Sequence, residues 1–275
     1  MTVRNIHICL FYFTFLFASA CISSTRMVEW RGGSNNAYTG SSFYRQAAAY
    51  HWQQRDSLAM VWLLEGRVPS FMKKFERVDV SMMDSLSGRI IQATFFVSPD
   101  YVSLGNDDDW ARIPLTPMAA QRLADSLGCF LPTRKMVDAI YNQSKVKLEP
   151  MPMFAFRDST PTMYHHHLMV EGLRKGQRGL IAGIKKDVVV SDKLKYDGKA
   201  NRVAIYGWHK PDGKPIQPLY AGHVNWYVDY SHGIRLVWQT MYVNKKPMHY
   251  SEVMKHPVYR KLLCDEQYCD VMRYE

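Results

Sequence analysis

The sequence predicts an α+β protein, with a helical N-terminal part and an antiparallel sheet, on three observations. Stretches typical of helices and of strands follow one another in blocks, in the order helices, strands, helices, strands, whereas a doubly wound sheet alternates them one by one. The β-rich stretches are short and are separated by Gly, Pro and Asp turns, which favours antiparallel pairing. Hydrophobic residues make up 47% of the 275 residues and charged residues 22%, so the chain has enough apolar side chains for a core.

The first 20 residues have the pattern of a secretory signal. Arg4 supplies a positive charge, residues 6–17 are apolar, and small residues lead to Cys21. The apolar run is shorter than the ~20 residues that cross a bilayer. Small residues before a cysteine resemble the lipobox of bacterial lipoproteins, which implies acylation of Cys21, and ordinary cleavage after Ala20 is the alternative. We therefore predict a signal peptide over 1–20 and export of the rest of the chain. The exported protein would be a membrane-anchored lipoprotein, or it would lie in the periplasm or at the cell surface.

The next part of the chain predicts a tether, a helix and a meander. Residues 21–42 are rich in Gly, Ser and Asn and are predicted to be a tether before one mixed α/β domain over 43–275. Residues 43–64 contain good helix formers and predict a helix that ends before Gly66. Residues 77–115 are β-rich and broken by turns, which predicts antiparallel strands.

The middle of the chain predicts two helices on either side of Cys129. Thr116 is a suitable cap for the first helix, proline follows at its first position, and Gly128 ends it. The second helix begins near Pro132. A third helix is predicted over 165–178. Strands are then predicted over 187–190, 202–206, 226–230 and 234–243.

The five cysteines fall into three groups. Cys9 and Cys21 belong to the signal segment. Cys264 and Cys269 lie close together near the C-terminus, and export permits a disulfide bond between them. Cys129 is then left unpaired, which marks it for attention in an exported protein.

Cys129 is a candidate nucleophile because of its place between two helices. A cysteine near a helix N-terminus has its thiolate stabilised by the helix dipole and by unpaired N–H groups. The alternative is a small, buried apolar residue. If Thr133 rather than Leu131 caps the helix, Cys129 lies too far upstream for the helix dipole to stabilise its thiolate.

Histidines and aromatic residues are concentrated in the C-terminal half. His223 and His232 adjoin predicted strand ends, where a rigid sheet commonly carries functional groups. An imidazole can act as the base for a thiol, with Asp229 as the carboxylate that orients it. His223 is the preferred base and His232 the alternative. Substrate contacts are assigned to four side chains of the same region: Trp208, His209, Trp226 and Tyr230.

A metal site is the less favoured interpretation of the histidines. His167 and Glu171 are four residues apart and share a predicted helix face; with His223, Asp229 or His232 they would make a metal set. They do not form the zinc-protease pattern of two histidines four apart flanking a glutamate, and an exposed polar helix end is the alternative. No metal and no cofactor is therefore assigned.

The order of Cys129, the two histidines and Asp229 resembles that in the papain-like thiol hydrolases, including the NlpC-type peptidases of the bacterial cell envelope. The resemblance covers about residues 115–243. It implies a cysteine-bearing helix packed on a β-sheet, in which Cys129 attacks an amide carbonyl, His223 or His232 takes the thiol proton, and Asp229 orients the imidazole. The predicted function is therefore an exported cysteine hydrolase of peptide or peptidoglycan-like amide bonds.

Two other functions stay open at this point. The first is a non-catalytic surface lipoprotein that binds glycan or peptide through the Trp/Tyr/His cluster, and the second is a metal-dependent hydrolase that uses the same histidines. The formal net charge of +10 favours an anionic or peptide-like envelope polymer as partner, whereas scattered charges and an export signal argue against nucleic acid. A lipid anchor would attach the protein to the inner or outer membrane.

Overall fold

The computed structural model describes residues 22–32 and 37–275. Helices and antiparallel sheets are both present, so the predicted α+β class is confirmed. The predicted signal peptide and the predicted acylation site, Cys21, lie outside the described residues. Within the described part, no helix is both long enough and apolar enough to cross a membrane.

Over residues 22–32 and 37–275, the helices divide into a pair at the N-terminal side, three in the middle and three short ones towards the C-terminus. The stretch 43–64, predicted as one helix, is two helices separated at residues 47–51. The bounds are α1 (Gly40–Gln46), α2 (Trp52–Leu64), α3 (Pro117–Ser126), α4 (Arg134–Gln143), α5 (Thr160–Arg174), α6 (Lys193–Tyr196), α7 (Tyr250–Lys255) and α8 (Arg260–Leu263), with a 3-10 turn at Ser70–Lys73.

The strands form a main sheet, a second sheet and two short pairs. Their bounds are β1 (Thr25–Met27), β2 (Lys74–Met83), β3 (Ile90–Val97), β4 (Ser103–Gly105), β5 (Trp110–Arg112), β6 (Cys129–Phe130), β7 (Val146–Lys147), β8 (Ile181–Ala182), β9 (Lys186–Val189), β10 (Arg202–His209), β11 (Pro215–Val224), β12 (His232–Gly233), β13 (Val237–Trp238), β14 (Thr240–Val243) and β15 (Lys246–His249). The main sheet has the order β1-β2-β3-β13-β6, with β14 also beside β3 and β15 beside β14. The second sheet has the order β11-β10-β9-β12, and only β12 in it runs parallel to its neighbour.

The predicted tether over 21–42 is wrong for its described part. Thr25–Met27 pair with β2 in antiparallel register, and Val28 and Trp30 are buried in the core. The alternation of Val28 and Trp30 with the charged Glu29 lets the two apolar side chains enter the core directly after β1. The Gly- and Asn-rich composition of the residues that follow outweighed this short pattern in the prediction.

The segment around Cys129 also differs from the prediction. Thr116 caps α3 as expected, since its hydroxyl accepts a hydrogen bond from the amide of Ala119. Thr133 caps α4, and Cys129 forms part of β6 opposite Trp238. The papain-like resemblance implied a cysteine-bearing helix, and this prediction is wrong because Cys129 lies on a strand.

Two further features complete the C-terminal region. The predicted strand over 226–230 is wrong, because residues 225–231 form a loop in which the Asp229 carboxylate accepts a hydrogen bond from the amide of Ser231.

Cys264 and Cys269 form a disulfide bond, with their Cα atoms 6.0 Å apart, as the sequence predicted. Both cysteines belong to the core cluster between the main sheet and helices α7 and α8.

Candidate functional site

The second sheet brings together three of the predicted site residues. His232 begins β12, which runs parallel to β9 and pairs His232 with Lys186. His223 lies near the end of β11. The loop between β11 and β12 carries Asp229, so the two histidines and the carboxylate converge although they are separated along the chain. With Tyr227 of the same loop they form the histidine–carboxylate cluster (His223, Tyr227, Asp229 and His232).

The rings of the histidine–carboxylate cluster lie close to one another. The centroids of His223 and His232 are 6.3 Å apart, and Tyr227 lies 4.8 Å from His223 and 5.9 Å from His232. The Nε2 atom of His232 is 4.0 Å from Oδ1 of Asp229, which is too long for a hydrogen bond. His232 is only 1% exposed, yet neither of its ring nitrogens has a hydrogen-bond partner among the described residues.

Asp229 is held in place through both carboxylate oxygens. Oδ1 accepts hydrogen bonds from the amide and the hydroxyl of Ser231, at 2.8 and 2.5 Å. Oδ2 accepts from Arg157 at 3.0 Å and from the Tyr227 hydroxyl at 3.2 Å. Burial alone raises the pKa of Asp229, but His232, the Ser231 hydrogen bonds and Lys186 together outweigh burial and lower this pKa to about 2. Asp229 is therefore ionised at neutral pH.

The two imidazoles are uncharged at neutral pH. Burial lowers the pKa of His232 to about 4, with Asp229 opposing the shift. Burial also lowers the pKa of His223, again against the pull of Asp229. A neutral imidazole carries one donor and one acceptor nitrogen, so each ring can bind a hydroxyl or an amide or take up a proton.

A cleft of about 460 Å³ adjoins this cluster. We call it the aromatic cleft and define it by five of its lining residues: Tyr50, Trp52, Thr160, Trp226 and Tyr227. Tyr227 joins the cleft to the cluster, because its ring lines the cleft while its hydroxyl donates to Asp229. The buried hydroxyl of Thr160 has no partner among the described residues. The cleft thus combines aromatic faces with a polar group that is not yet satisfied, which is typical of small-ligand sites.

A second set of polar groups lies behind the cluster and was missed by sequence reasoning. The Lys185 side chain is buried, with Nζ 3.1 Å from Nδ1 of His166 and donating to the carbonyl of Tyr230. Burial, followed by repulsion from Arg112, lowers the pKa of Lys185 to about 7. The only signal in the sequence is a pair of lysines between apolar residues at 180–184 and 188–190, where a strand would place one of them inside.

Three of the four predicted substrate contacts are structural. Trp208 is buried against Lys186, whose Nζ lies 5.1 Å from the indole centroid. His209 is buried and hydrogen-bonds Asp138 at 3.0 Å. Tyr230 is buried, and its hydroxyl bonds both backbone polar groups of Met153. These three assignments are corrected because contacts inside the fold already occupy the side chains of Trp208, His209 and Tyr230. Only Trp226, which is 45% exposed, lines the aromatic cleft.

The environment of Cys129 is the opposite of the one predicted. The thiol is buried, and its Sγ has the Leu127 carbonyl as its hydrogen-bond acceptor at 3.6 Å. Burial raises the pKa of Cys129 far above that of a free thiol, and no charged group counteracts the shift. Cys129 belongs to the main sheet, whereas the histidines belong to the second sheet. The predicted lowering of its pKa is therefore wrong.

We expect Cys129 to be almost inert towards thiol reagents in the folded protein. Because only the thiolate reacts, iodoacetamide at neutral pH should modify Cys129 far more slowly than it modifies glutathione. Mass spectrometry of the Cys129 peptide, before and after unfolding in urea, measures the difference. Rapid labelling of the unfolded chain is the control for reagent activity. Labelling of the folded protein as fast as glutathione would contradict the buried position of the thiol.

The alternative metal set is not assembled. Nδ1 of His167 lies 3.3 Å from Nη1 of Arg112, and Glu171 forms ion pairs with Arg112 and Arg174. Within the described ranges there is no group of three or more His, Cys, Asp and Glu side chains that could hold a metal ion. The exposed polar helix end is also wrong for His166 and His167, which are buried.

Comparisons with known proteins add no relative. No family model matches the chain, and no curated protein and no solved structure is similar to it at a significant level. The resemblance to papain-like and NlpC-type hydrolases therefore stays a prediction from the order of residues.

Proposed function

We propose that this is an exported envelope protein that binds a glycan or peptide segment of an envelope polymer in the aromatic cleft. The observation that carries the proposal is the connection through Tyr227 between the aromatic cleft and the histidine–carboxylate cluster. The N-terminal sequence adds export and acylation of Cys21 to the proposal, which would keep the protein at a membrane of the envelope.

The physical case rests on complementary surfaces. Sugar rings and peptide planes stack on aromatic faces, and Trp226 offers a half-exposed indole at the cleft. Hydroxyl and amide groups of the ligand would pair with the exposed side chains of His51 and Asp158, which also line the cleft. Such pairing favours a ligand that carries polar groups beside its stacking faces.

A solubilised peptidoglycan digest provides the test ligand. We expect the full chain to bind it, and Trp226→Ala to weaken binding by at least about tenfold, the usual effect of removing a central aromatic contact. Tyr268→Ala is the matched control, since Tyr268 is 43% exposed and lies outside the cleft. Isothermal titration calorimetry measures both affinities. Equal affinities of the two variants, or no binding by the unmodified protein, would refute the proposal.

Hydrolysis without the cysteine is a second candidate. The observation in its favour is an ionised carboxylate beside two neutral imidazoles, which is an arrangement suited to general acid–base catalysis. In this candidate His223, the less buried of the two rings, would take a proton from water. Mass spectrometry of the same digest after incubation would reveal cleavage, which His223→Gln should abolish and Cys129→Ser should leave unchanged.

A further inference from the structure

The hairpin formed by β2 and β3 ends in an exposed apolar tip. Met83 and Ile90 face each other across the two strands and are 68% and 64% exposed. Leu86, in the turn between them, is 90% exposed. Exposed apolar residues are normally scattered singly over a protein surface, and a contiguous group marks an interaction surface.

The turn is built so that Leu86 stays at the tip. The carboxylate of Asp84 accepts a hydrogen bond from the Ser87 hydroxyl at 2.6 Å and from the amide of Leu86 at 3.2 Å. Since both bonds belong to the turn itself, they fix its backbone without using the Leu86 side chain. The Asp84 carboxylate therefore makes its hydrogen bonds within the hairpin.

Basic side chains lie at the same end of the main sheet as this apolar tip. Arg89 is exposed in the same turn. The neighbouring hairpin of β14 and β15 is attached at Gln92, which accepts from the Asn244 amide at 2.8 Å and donates its own amide to the Asn244 side chain at 3.1 Å. In this second hairpin, Lys245 lies in the turn and Lys246 begins β15, and both are exposed. They therefore lie at the same end of the main sheet as Ile90.

The N-terminal part of the described chain runs towards the same end. β1 is antiparallel to β2, so the chain traced back from Thr25 runs alongside β2 in the direction of Met83. The carbonyls of Ser24 and Ile22 both accept hydrogen bonds from Arg77, at 3.3 and 3.0 Å. Ile22 shares a groove of about 510 Å³ with Lys245. The predicted acylation site, Cys21, is the residue directly before Ile22.

We propose that this end of the main sheet docks on an anionic membrane surface. The membrane-docking end is defined as Met83, Leu86, Arg89, Ile90, Lys245 and Lys246. Its apolar side chains would enter the interface between headgroups and acyl chains, and its basic side chains would pair with lipid phosphates. None of these residues lines the aromatic cleft, so the inference is independent of the proposed ligand.

Vesicle flotation tests this surface. The parent protein for this test is the full chain carrying Cys21→Ser, which cannot be acylated at that position. Every variant also carries Cys21→Ser, so all the compared chains have the same N-terminus. We expect it to float with vesicles of phosphatidylglycerol and phosphatidylcholine in equal parts, and poorly with phosphatidylcholine alone. Lys245→Glu should weaken binding about fivefold or more. Leu86→Ser should weaken it roughly fivefold to tenfold.

Phe154→Ser is the matched control, because Phe154 is 91% exposed in another loop. It should float like the parent chain. Three results would overturn the proposal: no preference for anionic vesicles, unchanged flotation of both Leu86→Ser and Lys245→Glu, or an equal loss with Phe154→Ser. Far-ultraviolet circular dichroism of each variant confirms that the compared chains are folded.

Discussion

Replacing Arg112 by Met should lower the free energy of unfolding by ~3–5 kcal/mol, the usual cost of removing one partner of a buried ion pair. The Arg112 guanidinium is buried and donates to both oxygens of Asp100, at 2.9 and 2.7 Å. It also pairs with Glu171 at 2.8 Å. Methionine fills similar space but supplies no charge, so the buried carboxylate of Asp100 would lose its counter-ion.

Urea unfolding at neutral pH, followed by tryptophan fluorescence, measures this cost. Arg122→Met is the matched control, because Arg122 is exposed on α3 and its loss should change stability by no more than about 0.5 kcal/mol. Adding Asp100→Asn to Arg112→Met should recover part of the loss, since the unpaired charge is then removed. A cost for Arg112→Met no larger than that of the control would contradict the buried pair.

The architecture could be predicted where the signal was local. Thr116 and Gly128 marked the ends of α3, and the block order of helices and strands gave the α+β class. The strand β1 could not be placed, because a three-residue strand is stabilised by pairing with β2 rather than by its own composition. Cys264 and Cys269 were matched by spacing and by the expected export.

The candidate site was predictable in part. His223 and His232 were expected together from their places at strand ends, with Asp229 as the orienting carboxylate, and the structure places the three side chains close to one another. The placement of Cys129 apart from the histidines depends on strand order, since β6 pairs with β13 in one sheet while β12 pairs with β9 in the other. No local pattern encodes which sheet a two-residue strand joins.

The partners of the site depend on tertiary structure for a related reason. Lys185 and His166 come from different elements, and each looks like a surface residue in the sequence. Their burial depends on a contact between His166 of α5 and Lys185, the residue before β9, which the periodicity of a single helix does not reveal. The aromatic cleft likewise needs the loop after α1, the start of α5 and the loop after β11 to come together.

Acidification is expected to destabilise the protein at pH values at which Asp229 is still ionised. His232 has a folded-state pKa of about 4, whereas an unfolded histidine titrates near ~6.5. Below about pH 6.5 the unfolded chain takes up a proton that the folded protein does not accept until about pH 4. The stability contributed by neutral His232 is thus present above pH 6.5 and lost as the pH falls to about 4, by ~3 kcal/mol.

His166 adds to the same loss. Burial, and then the charge of Lys185, lowers the pKa of His166 to about 2, so it also stays neutral in the folded protein throughout this range. Each buried histidine steepens the fall in unfolding free energy by up to ~1.4 kcal/mol per pH unit. Urea unfolding at a series of pH values between about 7 and 4 gives the slope.

The histidine variants decide whether burial is the cause. His232→Leu should flatten the slope, because leucine takes up no proton and the ring nitrogens of His232 have no hydrogen bonds to lose. His165→Gln is the matched control: His165 is exposed on α5 next to His166, and its removal should leave the slope as it was. If His232→Leu and the unmodified protein lost stability in parallel down to about pH 4, His232 would have to be accessible to protons in the folded state. That result would contradict the burial of the unpaired His232 ring in the histidine–carboxylate cluster.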